Sequence, residues 1–112
     1  MSSPDANRER RLALNEALIR DVNERIQEGA ERFDIKGRAV FLCECANDSC
    51  SERIRLTIDE YNRIREESTW FFVVPGHEIP TLERVVDQGD EHVIVEKIGE
   101  GSEVAERLDP RR

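Results

Sequence analysis

The chain is poor in aromatic residues, with one tryptophan, one tyrosine and four phenylalanines among 112 residues. A core built from so few large side chains is modest, and with charged residues at 38% the sequence sits near the lower limit of what can bury enough apolar surface to fold unaided. No apolar run approaches the ~20 residues of a membrane-spanning helix. Met1 to Arg11 is polar and lacks the apolar segment of a secretory signal, so residence in the cytoplasm is expected. Positive charge is also short: the formal net charge is -8 and the isoelectric point about 4.8. Sequence-independent binding to nucleic acid or to an anionic membrane needs a basic surface, so neither partner is expected. There is no glycine-rich phosphate loop and no G-x-S-x-G elbow, which removes the commonest nucleotide-binding and hydrolase signatures.

Cysteine is scarce too, but all of it lies in one place. Cys43, Cys45 and Cys50 fall within eight residues, at a boundary where an apolar segment runs into a polar turn. An odd number of cysteines without an export signal speaks against a disulfide framework and for metal binding or a reactive thiol. Residues two apart on a strand project from the same face, so Cys43 and Cys45 align, and the turn Asn47-Asp48-Ser49 can return Cys50 to them. Zinc in structural sites takes four tetrahedral nitrogen or sulfur ligands, commonly four cysteines or three cysteines and a histidine. Of the two histidines, His77 follows Pro75-Gly76 and stands on a loop as a ligand would, whereas His92 opens a charged strand segment. The expected set is Cys43, Cys45, Cys50 and His77 around zinc. C-x-C-x4-C is less specific than paired CxxC motifs, and redox-active thiols or cysteines that merely pack remain open alternatives. An iron-sulfur cluster usually takes four cysteines.

The pattern along the chain points to an α+β fold: a long N-terminal helix, then a small, mostly antiparallel sheet of about five strands with one short helix, stapled by zinc. Residues 1–36 form the amphipathic helix, with Ser3 as cap, Pro4 in the first turn, and Leu12, Ile19, Val22 and Ile26 in a stripe widened by Leu14 and Leu18. Leu12, Ile19, Ile26 and Phe33 share a heptad position, but Asn15 and Gly29 interrupt the companion position, so a sustained coiled coil is poorly supported. The stripe either packs on its own domain or docks a protein partner or a second copy. Residues 37–99 form the metal-binding domain. Ala39 to Cys45 has strand composition, Arg53 to Thr57 alternates strictly, and Thr57 with Glu60 is a capping box that opens a short helix ending near Ser68. Trp70 to Val74, Leu82 to Val86 and His92 to Lys97 supply the remaining strands. Residues 100–112 read as an acidic, polar tail, mobile or briefly helical, and trimming the last ten or so residues should leave the fold intact.

Phe41-Leu-Cys-Glu-Cys through Cys50, Leu56-Thr-Ile-Asp-Glu-Tyr61, Val74-Pro-Gly-His77 and Val95-Glu-Lys97 together resemble a group of small, uncharacterised actinobacterial-type proteins. The likeness covers most of the chain from Val22 onward. It implies that Cys43, Cys45, Cys50 and His77 belong together as a set and brings no activity with it. The expected role is therefore a cytosolic zinc-binding regulatory or adaptor domain without catalysis. One alternative is a thiol or zinc redox sensor using the same ligands. The other is a zinc-dependent hydrolase or deaminase with Glu78 as general base; an open metal position would be required, and the H-x-E and P-C-x-x-C order of zinc deaminases is not met.

Overall fold

A helix of 29 residues, α1 (Pro4–Arg32), sets the long dimension of the molecule. At ~1.5 Å per residue it spans roughly 43 Å, against a longest extent of 48 Å for the whole. The computed structural model describes residues 4–47 and 49–111; Ser3 and Asp48 lie outside the described residues. After α1 come β1 (Arg38–Leu42), β2 (Arg53–Thr57), α2 (Ile58–Ile64), β3 (Trp70–Val73), β4 (Glu83–Gln88), β5 (Val93–Lys97) and α3 (Glu100–Arg107). The five strands form two antiparallel sheets, β1-β2 and β3-β5-β4, where a single sheet was expected. The division has a local cause. Just beyond β1 the chain turns from β2 toward β3, so that Cys43 N–H still donates to Glu52 O (3.0 Å) while Glu44 N–H donates to Phe72 O (2.9 Å).

The core lies between these sheets. Strict alternation in β2 buries Ile54 and Leu56 and leaves Arg53 and Arg55 in water. Phe41 stacks on Tyr61 with ring centroids 4.5 Å apart, and Phe72 meets both edge-on at 6.1 and 5.9 Å. Tyr61 is delivered by α2, whose first turn is closed by the expected capping box: Glu60 N–H donates to Thr57 Oγ1, and Thr57 N–H donates to Glu60 Oε1. Phe71, next along β3, points the other way and lies under the Arg20 guanidinium, 3.7 Å from its ring centroid.

The helix α1 turns only part of its apolar stripe inward. Its inward face carries Ala13, Glu16, Ala17, Arg20, Asn23, Glu24, Gln27 and Ala30, a small and polar set at helical spacing. Leu14, Leu18 and Val22 are exposed, while Leu12, Ile19 and Ile26 are half-buried. Three of these inward polar groups hold partners on other elements. Arg20 donates to Trp70 O (2.6 Å), and Glu24 accepts from Tyr61 Oη (2.7 Å) and from Arg111 Nε (2.6 Å). Glu16 and Glu83 share Lys97, whose Nζ donates to both at 2.8 and 2.9 Å.

The segment read as a removable tail is docked instead. Val104 and Ala105 of α3 are buried, and α3 packs against α1. Gly101 permits that approach, since a Cβ there would come 3.0 Å from Lys97 Cε and 3.9 Å from Ala13 Cβ. Beyond the helix, Arg65 donates to Asp109 (2.5 Å) with both side chains fully buried. No described helix is long and apolar enough to cross a membrane.

Candidate metal centre

The alternation expected of an extended chain continues past the end of β1. Cys43 and Cys45 face one way and Glu44 the other, and the two faces have different roles. Glu44 is fully buried against α1, where its carboxylate accepts from Asn23 Nδ2 (2.9 Å) and from Phe72 N–H (3.3 Å). Burial pushes this carboxyl up, with the Arg20 charge and the Asn23 hydrogen bond acting against the rise. The contact fixes the rotation of the chain about its own axis and thereby aims both neighbouring sulfurs outward from α1. The loop that follows closes on itself: Ser49 N–H donates to Asn47 Oδ1 (2.9 Å) and Cys50 N–H to Asn47 O (3.0 Å), which returns the third sulfur.

His77 reaches the cysteines from the turn after β3. His77 N–H donates to Val74 O (2.9 Å), and Gly76, at φ +95°, takes the left-handed conformation that this reversal needs. Glu78 Oε2 accepts from Gly76 N–H (2.9 Å) and braces the turn from the other side. The ligand-type atoms of Cys43, Cys45, Cys50 and His77 all lie within 4.8 Å of one another, and the four residues could hold a metal ion. Cys43 Sγ and Cys50 Sγ are each 3.6 Å from His77 Nδ1. Val74 N–H donates to Cys43 Sγ at 3.3 Å, so part of the sulfur's charge is already met by the backbone.

Electrostatics makes a cation the natural companion of this cluster. Burial raises the Cys43 thiol well above its ordinary value, and the Cys45 sulfur adds to the rise, against the lowering effect of Val74 N–H. Burial raises Cys45 as well, with Cys50 adding to it. Three thiolates converging on one point need positive charge between them, and a bound metal supplies it while displacing the protons.

Of the expected site residues, Cys43, Cys45, Cys50 and His77 are brought together. His92 is elsewhere: it is buried under the β4–β5 hairpin, where a Cβ on Gly89 would come 2.1 Å from its ring. Burial lowers its pKa, with Glu60 and Asp87 opposing. The sequence reading missed Asn23 and Glu44 as the residues that orient the ligand segment. The one available signal was the C-E-C triplet itself, a charged residue placed on the opposite face of a strand entering an apolar interior. Comparison with known protein families, curated proteins and solved structures finds no match to this chain.

Proposed function

We propose that the chain is a small cytosolic zinc-binding domain of regulatory or adaptor type, in which the metal is structural and takes no part in catalysis. The observation that carries this reading is the pair of sulfur–nitrogen distances, both 3.6 Å, from Cys43 and Cys50 to the same His77 Nδ1. A shared cation relates both sulfurs to that nitrogen in the same way and accounts for the equal distances. Zinc bonds of ~2.3 Å to sulfur and ~2.05 Å to nitrogen, meeting near the tetrahedral angle, put the two ligand atoms roughly 3.6 Å apart. Soft thiolates with one imidazole also favour zinc over calcium or magnesium. Bound there, zinc ties the 43–52 loop to the Val74–His77 turn and so joins the end of the β1-β2 sheet to the chain leaving β3.

Glu78 supports the non-catalytic assignment, because its carboxylate already accepts from the Gly76 backbone and holds the turn. X-ray absorption at the zinc edge tests the coordination directly. Three sulfurs near 2.3 Å and one nitrogen near 2.05 Å are expected; a shell containing oxygen from water would favour the catalytic alternative. A depression of about 230 Å³, lined by Cys45, Asn47, Gly76 and His77 among others, borders the cluster and gives small oxidants access to one edge of it. That feature favours, as a second reading, oxidation-driven release of the metal. Zinc released in proportion to added peroxide, together with a change in oligomeric state, is its expected signature.

A further inference from the structure

We propose that two copies of this chain pair through α1, antiparallel, with Phe33 of each seated against the amino-terminal part of the other's helix. The helix α1 buries a small and polar face in its own domain and leaves Leu14, Leu18 and Val22 in water, which is the reverse of what a surface helix gains by folding. Leu18 is 64% exposed and Phe33 74%, the latter in a chain with only four phenylalanines, the other three being buried. Gly29 adds to the puzzle: a Cβ there would meet nothing within 4 Å among the described residues, so no contact among them accounts for a glycine in a helix.

A second copy accounts for all three features. Near the amino end of α1, Arg8, Arg11, Leu12 and Leu14 line a depression of about 550 Å³ whose far wall is Ala46 and Asn47 of the cysteine loop. Phe33 is the exposed knob of matching character. Opposing Phe33 to Arg11 in antiparallel helices places Val22 on the two-fold axis, sets Leu18 against the other copy's Ile26, and brings Gly29 opposite Asn15, where a missing side chain lets the backbones approach. Charge selects the same orientation. Parallel pairing would set the exposed Arg8, Arg10 and Arg11 of the two copies beside each other, whereas antiparallel pairing separates them and brings them to an end where Glu28, Glu31 and Asp34 balance Arg25, Arg32 and Lys36. The contact is isologous and closes on itself as a dimer.

Sedimentation equilibrium of the zinc-loaded full chain, in low salt, provides the test. The expected mass is twice the 13.0 kDa of the chain. Leu18→Glu with Val22→Glu, and separately Phe33→Ser, should weaken association at least tenfold while metal content and helicity are retained, since all three side chains are exposed. Arg11→Glu should weaken it too, and adding Glu31→Lys to the same chain should restore it. A wild-type monomer would overturn the proposal and leave the stripe to a different protein. A dimer indifferent to Leu18, Val22 and Phe33 would overturn the site, and one indifferent to the charge reversals would overturn the antiparallel arrangement.

Discussion

Asn23 holds Leu42 the way a neighbouring strand would: its Nδ2 donates to Leu42 O at 3.0 Å and its Oδ1 accepts from Leu42 N–H at 2.9 Å. The same Nδ2 also donates to Glu44, two residues on. One side chain on α1 thus satisfies both backbone groups at the exposed edge of β1 and the buried carboxylate between Cys43 and Cys45. Asn23→Ala removes this partner from both Leu42 backbone groups and leaves Glu44 with Phe72 N–H alone, and the expected cost is about 2–4 kcal/mol. Chemical denaturation measures it. Zinc affinity should fall in the same variant, because Glu44 no longer fixes the direction of the sulfurs on either side; unchanged stability and affinity would show that the backbone path alone orients them.

The carboxyl-terminal segment is expected to be indispensable. Arg65 is fully buried and its ion pair with Asp109 is its closest carboxylate contact, at 2.5 Å, with Glu24 next at 3.7 Å. Removing one member of a buried pair strands the other charge, so Asp109→Ala should destabilise by about 3 kcal/mol or more. Deleting residues 100–112 additionally uncovers the surface that Val104 and Ala105 bury and removes Arg111 from Glu24. The thermal transition should become broad or vanish; retention of the full-length melting temperature would mean that α3 contributes nothing to the domain.

Glu16 should give the fold a dependence on pH opposite to that of a carboxylate whose pKa is lowered by folding. Burial pushes it up to about 8, with Lys97 opposing the rise and Glu83 adding to it. Its folded-state pKa lies above its unfolded value, so between roughly pH 4.5 and 8 the native state holds a proton that the unfolded chain has released. Stability from this group is therefore complete at the acid end of that window and is lost as pH rises through it. Glu16→Gln keeps the shape without the titration. The difference in stability between wild type and variant, both saturated with zinc, should change steadily from pH 5 to 8 in the variant's favour, and a constant difference would exclude Glu16 as the source.

What could be read from the sequence was local. Alternation in Arg53 to Thr57, the capping box of Thr57 and Glu60, and the convergence of Cys43 with Cys45 all depend on neighbours within a few positions, and each is present in the fold. Direction and long-range pairing were another matter. The periodicity of Leu14, Leu18 and Val22 reveals an apolar face without saying whether it turns toward the domain or away from it. The inward face of α1 is recognisable only once Lys97, Trp70 and Tyr61, some 37 to 81 positions distant, are in place to receive Glu16, Arg20 and Glu24. The same holds for α3, where Val104 and Ala105 are too few to mark a buried helix and the partner of Asp109 lies 44 residues upstream. The division of the strands into two sheets rests on a single crossing, Glu44 N–H to Phe72 O, that no pattern announces.

Loss of one sulfur should separate a structural metal from an incidental one. Since zinc binding is part of the folding free energy of such a site, Cys45→Ser is expected to lower both metal content and melting temperature, and a chelator added to wild type should reproduce the shift. Equal melting temperatures with and without metal would make the cluster a passenger on an independently stable fold.

A single zinc held by three cysteines and one histidine fixes the metal content of the protein, which elemental analysis of material purified without a metal-affinity tag measures. The expected result is one zinc per chain, lost or weakened in His77→Ala and retained in His92→Ala, whose imidazole is packed under Gly89 away from the cysteines. Protein that contains no metal, or that keeps its zinc equally well without His77, would contradict the account.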